Sequence, residues 1–224
     1  MARVMIGIPT LDMVQATFFS SILNMQYREQ DEYQYNVRSN SLVYNARNMM
    51  AMDAINGKFD YLVFLDSDMA LEPDTIVRLL DDIEKMPNAS LVSGLYFTRR
   101  PQTSPVICKD IAWWVDATMG AMQNVEVYDD YPRDKIFPIA GCGFGVCALK
   151  VDLIKDVVIT TKSNPFDPLP RLSEDYAFCW RARKIGAELF CDSGIKAGHC
   201  GLKVYRESDW DAQLKQNKER GSEE

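Results

Sequence analysis

The sequence predicts an α/β protein with a mostly parallel central sheet that is covered by helices. Short apolar runs alternate with longer segments whose apolar residues recur at helical spacing. Over the first hundred residues the order is β-α-β-α-β-α-β, which is typical of parallel strands joined by helical crossovers. The run at 59–65 is apolar along nearly its whole length, as expected for a strand buried on both faces.

The first half of the chain divides into short, clearly bounded elements. Val14, Phe18, Ile22 and Met25 stand at helical spacing, while Ser41 is a plausible N-cap and Gly57 a plausible helix end. In chain order we predict a strand at 3–9, a helix at 13–26, a strand at 33–37, a helix at 41–56, the strand at 59–65, a helix from Pro73 to about residue 85, and a strand at 90–97.

The second half of the chain is less regular. Residues 98–140 are rich in proline, aromatic residues and aspartate, and predict a long loop or a small excursion over one face. Beyond them we predict a strand at 144–149, a proline-rich mobile loop at 160–172, a helix at 174–185 capped by Ser173, and strands at 187–191 and 195–198. The polar tail from Gln213 onward is expected to be exposed or frayed.

Composition restricts the class of protein. A chain of 224 residues is long enough for one core and short for two typical domains, and 47% apolar residues exclude a largely disordered chain. The net charge of -7 argues against a protein that tracks nucleic-acid phosphates. Apolar runs are far shorter than the ~20 residues that cross a bilayer. We therefore expect no integral membrane association, a cytoplasmic location, and six reduced, mostly buried cysteines.

Two carboxylates directly follow the buried strand, in the triplet Asp66, Ser67 and Asp68. In open α/β sheets, ligands bind beyond the carboxyl ends of the strands. Carboxylates at positions i and i+2 share a face and repel each other, and a divalent cation such as Mg²⁺ or Mn²⁺ would relieve that repulsion. The alternative is a solvated turn in which an aspartate caps the next helix.

His199 is the only histidine, and small residues surround it at 197–201. Glycines there permit close approach of a ligand, and an imidazole added to two carboxylates favours Mn²⁺ over Mg²⁺. Lys203 could meet a phosphate as a point charge. A structural or merely exposed histidine is the alternative; a zinc site with Cys200 is disfavoured because adjacent side chains rarely converge on one ion.

Two further motifs admit both structural and functional interpretations. The glycine-dense segment Gly141–Gly145 is either the start of a bulged strand or a backbone wall against which a sugar lies. Glu174 and Asp175 open a helix, where acidic residues complement the helix dipole. Alternatively, one of them is a general base or a hydrogen-bond partner of an acceptor hydroxyl.

Seven segments between residues 6 and 203 occur together in a specific order and spacing. They are IGIPT at 6–10, YNARN at 44–48, FDYLVFLDSDM at 59–69, SGLYF at 93–97, GCGFG at 141–145, SEDYAF at 173–178 and GHCG at 198–201. This arrangement resembles the GT-A-fold glycosyltransferases, especially the compact family-2-like enzymes of bacteria and their phages. The resemblance implies one GT-A domain over 1–224, with a nucleotide-binding half at about 1–100, an acceptor and metal half at about 101–205, and a polar tail at about 206–224.

The resemblance also implies roles for individual residues. On the donor side, the nucleotide-binding residues would be Pro9, Thr10, Arg47, Asp66, Ser67, Asp68 and Lys203, with the base held by the first two and the diphosphate met by the last. The metal ligands would be Asp68 and His199, together with Asp66 unless Asp66 holds the ribose instead. Asp175 would be the catalytic base of an inverting enzyme, and Glu174 would contact the acceptor.

The sequence therefore predicts a metal-dependent glycosyltransferase that uses a nucleoside-diphosphate sugar and Mn²⁺ or Mg²⁺. A nucleotidyltransferase is the enzymatic alternative, although residues 6–12 lack the usual glycine-rich, basic phosphate loop. A non-catalytic nucleotide-sugar or carbohydrate-binding module is the other alternative, with Trp113, Trp114, Tyr128 and Tyr131 as a stacking surface or as core. The acceptor stays open between a glycan, a protein, a lipid-linked sugar and a modified nucleic-acid base.

Overall fold

A seven-stranded sheet lies at the centre of the molecule. The computed structural model describes residues 1–100, 102–201 and 203–221. The elements are β1 (Arg3–Pro9), α1 (Ala16–Leu23), β2 (Glu32–Arg38), α2 (Val43–Asn56), β3 (Tyr61–Leu65), β4 (Met69–Ala70), α3 (Thr75–Lys85), β5 (Ala89–Leu95), β6 (Ile107–Asp116), β7 (Gly120–Val127), β8 (Ile136–Ile139), β9 (Gly141–Cys142), β10 (Val146–Lys150), α4 (Val151–Thr161), α5 (Glu174–Lys184), β11 (Glu188–Lys196), β12 (Gly198–Cys200), β13 (Val204–Tyr205) and α6 (Glu207–Gly221).

The strand order of the central sheet is β2-β1-β3-β10-β5-β11-β8. Strand β1 pairs in parallel with β2 and β3, and β11 pairs in parallel with β5. Strand β10 is antiparallel to both β3 and β5, so those two strands share a direction. Strand β8 is antiparallel to β11 at the edge. Five strands thus run one way and two the other, which confirms the predicted mostly parallel sheet.

Helices cover both faces of this sheet. Buried residues of α2, α4 and α5 form one core cluster with the sheet, and those of α1 and α3 form another on the opposite face. Strand β3 shows why: Leu62 and Phe64 belong to the first cluster, whereas Val63 and Leu65 belong to the second. Because successive side chains point to opposite faces, a strand between two helical layers must be apolar throughout.

The region 98–140 contains regular structure that the sequence analysis did not predict in detail. Strands β6 and β7 form an antiparallel hairpin, and β6 also pairs with the short strand β9. The Asp116 carboxylate accepts hydrogen bonds from the backbone N–H groups of Thr118 and Met119, both at 2.8 Å. Gly120 completes the turn with a φ of 74°, a conformation that glycine adopts without strain. The expected excursion is therefore a hairpin.

Three other predictions need correction. Helix α2 begins at Val43 with Leu42 at the N-cap, and the Ser41 hydroxyl donates to the Leu42 carbonyl instead of capping the helix. Helix α4 was not predicted, because its run of valine, isoleucine and threonine resembles a strand. The two strands expected at 187–191 and 195–198 are mainly one irregular strand, β11, whose pairing shifts register after Asp192.

The polar tail is a helix that packs on the body of the protein. Trp210 is buried in the main core cluster, and the Tyr131 hydroxyl donates to the Glu207 carboxylate at 3.0 Å. The Thr103 backbone N–H donates to the Gln213 side-chain oxygen at 2.8 Å, and the Gln213 amide donates back to the Thr103 carbonyl at 3.0 Å. The expectation of a frayed tail from Gln213 is therefore wrong up to the end of α6, although residues 215–219 are exposed.

All six cysteines are unpaired and buried, as expected. Within the part of the chain that the structure describes, no helix combines the length and the apolar character required to cross a bilayer.

An acidic contact between α3 and β11 makes the stability of the fold depend on pH. Asp192 Oδ2 accepts from Arg78 at 2.8 Å, whereas one Asp82 oxygen is buried without a hydrogen-bond partner among the described residues. Burial, together with the negative charge of Asp192, raises the pKa of Asp82 to about 6. Between the usual aspartate pKa of 3.8 and a pH of about 6, Asp82 is protonated more in the native protein than in the unfolded chain. The free energy of unfolding therefore decreases as the pH rises through this range.

Replacement of Asp82 by Asn removes this penalty, because an amide can donate a hydrogen bond to Asp192 and carries no charge. We expect Asp82→Asn to be more stable than the wild type by about 1 kcal/mol at pH 8 and to have no advantage at pH 4. Urea unfolding at both pH values measures this difference. The exposed Asp156→Asn is the control, and an effect of Asp82→Asn that is independent of pH would contradict the explanation.

Candidate functional site

A cavity of about 340 Å³ lies beyond the carboxyl ends of the neighbouring parallel strands β1 and β3. Five residues predicted to bind nucleotide or metal lie in its wall. The lining consists of Pro9, Thr10, Leu11, Asp12, Met13, Gln15, Ser41, Val43, Asp66, Ser67, Asp68 and Arg99. The structure thus brings the loop after β1 and the triplet after β3 together in one concave site, as the general location of ligands in α/β sheets predicts.

Backbone hydrogen bonds fix the loop after β1 against this triplet. The Thr10 N–H donates to the Arg38 carbonyl at 2.8 Å, and the Thr10 hydroxyl donates to the Met13 carbonyl at 2.8 Å. The Gln15 N–H donates to the Ser67 carbonyl at 3.2 Å. The protein's own hydrogen bonds therefore hold this wall of the cavity in place.

Arg47 lies beneath the cavity and bridges two carboxylates. Its side chain is only 3% exposed. Nη2 donates to both oxygens of Asp66, at 2.9 and 3.1 Å, and Nη1 donates to Glu174 at 2.6 Å. The guanidinium also lies over the rings of Phe64 and Phe144. Arg47 is absent from the cavity lining, so the structure makes it the link between the triplet after β3 and the start of α5.

Burial dominates the electrostatics of this bridge. Desolvation raises the pKa of Asp66, although Arg47 acts in the opposite direction. Desolvation and the neighbouring charge of Asp175 raise the pKa of Glu174, again against the effect of Arg47. Burial disfavours the charged form of Arg47 as well, but Asp66 and Glu174 raise its pKa above the usual value. The three groups are therefore mutually dependent charges in a site of low dielectric.

A small second sheet brings His199 next to Asp68. Strand β12 pairs with β4 so that His199 lies opposite Met69, and the Cys200 N–H donates to the Asp68 carbonyl at 2.7 Å. His199 Nδ1 is 2.8 Å from the Phe97 carbonyl oxygen, which can only accept, so Nδ1 carries the proton. In the neutral ring, Nε2 then presents a lone pair towards Asp68 Oδ2, at 3.6 Å.

This pair has the chemistry of a partial metal site. A histidine whose second nitrogen is held by a backbone carbonyl is a common metal ligand, and a carboxylate oxygen beside it suits Mn²⁺ or Mg²⁺. Within residues 1–100, 102–201 and 203–221, however, no group of three His, Cys, Asp or Glu side chains is arranged to hold an ion. Both oxygens of Asp66 are engaged by Arg47. The residues therefore fit a cation held by two protein ligands better than one held by three.

Asp68 has a second cationic neighbour that the sequence analysis did not place here. Arg99 Nη1 lies 2.9 Å from Asp68 Oδ2 and also donates to the Cys200 carbonyl at 3.0 Å. Burial opposes ionisation of Asp68, but a hydrogen bond and a positive charge from His199, which the ring supplies in its protonated form, and the charge of Arg99 lower the pKa of Asp68 below the usual value. Asp68 is therefore held as an ionised carboxylate at the edge of the cavity.

The remaining predicted residues lie away from the cavity wall. The Lys203 ammonium pairs with Asp209 and lies over the Tyr205 ring, so in this arrangement it does not meet the cavity. Asp175 begins α5 beside Glu174, and its Oδ1 accepts from the Ser173 hydroxyl and from the Tyr176 N–H. Neither acidic residue of α5 lines the cavity; Glu174 is connected to it through Arg47 and Asp66.

The glycine-dense segment has a packing role. A Cβ atom on Gly143 would lie 2.0 Å from the Tyr96 hydroxyl oxygen, and one on Gly145 would lie 3.0 Å from Tyr96 Cζ. Tyr96 accepts a hydrogen bond from the Gly145 N–H at 3.2 Å, and its ring meets the His199 ring edge-on at 5.5 Å. These glycines are buried and admit the tyrosine that supports His199, whereas a wall for a sugar would have to be open to solvent.

The proposed aromatic stacking surface is mostly core. Tyr131 is buried, Tyr128 packs on Phe137, and Trp113 packs edge-on against Trp180 at 5.5 Å. Of the four aromatic residues considered, only Trp114 is largely exposed, at 45%. Trp113 and Trp114 line a surface cavity together with Trp180, so a sugar-stacking surface would be confined to that cavity and would not include Tyr128 or Tyr131.

Removal of Arg47 should destabilise the protein strongly, because it leaves the carboxylates of Asp66 and Glu174, which are 27% and 16% exposed, without a compensating charge. We expect Arg47→Met to lose about 3–5 kcal/mol at pH 8. Since the pKa values of both carboxyls are already raised, they take up protons as pH falls, and the loss should be smaller at pH 5. Denaturant unfolding at the two pH values measures the effect.

Arg38→Met is the matched control, because Arg38 also pairs with an aspartate, Asp53, but both side chains are about one-third exposed. It should cost no more than about 1 kcal/mol. Equal losses in the two variants would show that the Arg47 bridge does not depend on burial.

No protein-family model matches the chain, and no curated protein matches it. Among solved structures, 310 chains are similar. One is the crystal structure of A197 from STIV, with a TM-score of 0.60 and 17% sequence identity over 89% of this chain and 85% of A197. At this identity the similarity concerns the fold, so the chain shares a mixed α/β architecture with A197.

Proposed function

We propose that the protein is a metal-dependent glycosyltransferase that moves a sugar from a nucleoside-diphosphate donor to an acceptor hydroxyl. The observation that carries the proposal is the facing pair of Asp68 Oδ2 and His199 Nε2 beside a preformed cavity at the carboxyl ends of β1 and β3. The order of sequence motifs over residues 6–203 and the α/β fold support the finer assignment to the GT-A type. In that assignment residues 1–100 hold the nucleotide and 101–205 contribute to the acceptor side.

The donor would lie in the cavity, with its base and ribose against the loop after β1. Pro9 and Thr10 begin this loop, and Ser67 fixes its far end through the Gln15 N–H. Asp68 and His199 would hold Mn²⁺ or Mg²⁺. That ion neutralises charge on the departing nucleoside diphosphate when it is bound. In this proposal Asp66 stays with Arg47 and contributes to the floor of the site, and Lys203 would have to leave Asp209 to reach a phosphate.

Asp175 is the better candidate for the catalytic base. Glu174 Oε1 forms an ion pair with Arg47, which makes that carboxylate a weaker proton acceptor. Asp175 makes its two hydrogen bonds through the single oxygen Oδ1 and has no ion pair with a cation among the described residues. A carboxylate that takes the proton from an acceptor hydroxyl needs an oxygen available to it. Glu174 would act through position, by holding the start of α5 against the nucleotide half.

The first test is metal-dependent nucleotide binding. The four common ribonucleoside diphosphates, screened by thermal shift with and without Mn²⁺, should include one that raises the Tm only when Mn²⁺ is present. Asp68→Asn and His199→Ala should each abolish the Mn²⁺-dependent part of the shift, because each removes one of two protein ligands. The exposed Asp152→Asn is the control. If either Asp68→Asn or His199→Ala shows the same Mn²⁺-dependent increase in Tm as the wild type, the assignment of these residues as metal ligands is wrong.

The second test separates a transferase from a binding module. With the donor identified by the first test, the wild type should release nucleoside diphosphate over many turnovers and pass labelled sugar to an acceptor. Asp175→Asn should bind the donor unchanged and lose transfer by about a hundredfold or more. Asp110→Asn, whose side chain is about half exposed, is the control. Affinity for the donor without release of nucleoside diphosphate would favour the binding module, and full transfer by Asp175→Asn would exclude it as the base.

A further inference from the structure

Arg99 and the proposed metal ion compete for the same atom. Asp68 Oδ2 lies 2.9 Å from Arg99 Nη1 and 3.6 Å from His199 Nε2. The same Nη1 donates to the Cys200 carbonyl at 3.0 Å, so the guanidinium spans β12 and the triplet after β3. The position that a cation would share between Asp68 and His199 therefore lies beside a fixed positive charge.

The guanidinium of Arg99 is a cation directly beside this position. A divalent cation at Asp68 would meet both competition for Oδ2 and repulsion from Arg99. Relief requires the guanidinium to move. Its side chain is 43% exposed and follows the end of β5, so movement does not break the core.

A guanidinium that leaves Asp68 can contact a ligand in the cavity. Arg99 already lines the wall of the cavity with the triplet after β3. Its stem passes close to Gly201, where a Cβ atom would lie 3.2 Å from Arg99 Cδ. A planar guanidinium matches the oxygen atoms of a phosphate in a two-pronged contact. A diphosphate bound in the cavity would therefore replace the carboxylate as its partner.

We propose that Arg99 holds the Asp68 carboxylate until a divalent cation binds, and that the displaced guanidinium then binds the diphosphate of the donor. This inference rests on the proposed function. It makes metal and donor binding cooperative, because the cation frees the phosphate ligand and the phosphate then keeps Arg99 away from Asp68.

Mn²⁺ binding without nucleotide tests the first step. Calorimetry or electron paramagnetic resonance of free Mn²⁺ gives the Kd of the wild type, Arg99→Gln, Arg100→Gln and Asp68→Asn. Arg99→Gln should bind Mn²⁺ about three to ten times more tightly than the wild type, as expected for loss of a half-exposed ion pair. Arg100 is an exposed neighbour outside the cavity wall, and its variant should match the wild type.

Inorganic pyrophosphate at saturating Mg²⁺ tests the second step. Arg99→Gln should bind pyrophosphate about tenfold more weakly than the wild type, because a charge-assisted contact is lost. Unchanged or weaker Mn²⁺ binding by Arg99→Gln would overturn the competition, and unchanged pyrophosphate affinity would overturn the phosphate role. If Asp68→Asn binds Mn²⁺ as the wild type does, or no protein binds it, the proposed metal site itself fails and the inference fails with it.

Discussion

The buried guanidinium of Arg47 is the interaction on which the site depends. It joins Asp66, at the end of β3, to Glu174, at the start of α5, across 127 residues of sequence between Arg47 and Glu174. Without it, the carboxylates of Asp66 and Glu174, which are 27% and 16% exposed, would lose their shared cationic partner. The ion bridge therefore fixes the position of α5 relative to the cavity, and it holds both oxygens of Asp66, whereas Asp68 pairs with a different arginine at the edge of the cavity.

Each aspartate of the triplet after β3 pairs with a different arginine: Asp66 with Arg47, and Asp68 with Arg99. Arg47 is almost completely buried, and its contacts with Asp66 cannot be exchanged for water without loss of the core. Arg99 is 43% exposed, so its contact with Asp68 is open to solvent. The two ion pairs, Arg47–Asp66 and Arg99–Asp68, therefore differ in how far their arginines are buried, although their aspartates are only two positions apart in the sequence.

Local sequence patterns predicted the central elements well, since an apolar run or a helical period is a direct consequence of burial. Strand β1 agrees with its predicted range, and α3 and α5 end within one residue of the predicted positions. Helix α4 was missed because Val151, Ile154 and Val157 are β-branched, and only their spacing of three residues and their tertiary packing favour a helix. The tail was misjudged because its sequence is mostly polar, and its apolar contact with the main core cluster includes only Trp210 and Leu214 among the described residues.

The cavity was predictable from the place of the triplet after a buried strand, but its charge pairing was not. The local sequence around Arg47 and around Glu174 does not indicate that the two residues form an ion pair. Because β10 lies between β3 and β5, the order of the strands along the chain does not show which loops meet at the edge of the sheet. Arg99 follows β5 by four residues, which marks it as a residue near the same edge. Its contact with Asp68 depends on β12, which returns from a distant part of the chain to pair with β4.

The position of β10 also has a consequence for how the chain is made. Strand β10, at residues 146–150, lies between β3 and β5, so these two earlier strands are not neighbours in the sheet and are joined only through β10. During synthesis on the ribosome, the first hundred residues would emerge before β10, so the backbone groups of β3 and β5 that pair with β10 would have no partner there. The central sheet can therefore close only after residues 146–150 have been synthesised, and a chain interrupted before residue 146 would present exposed strand edges to its neighbours.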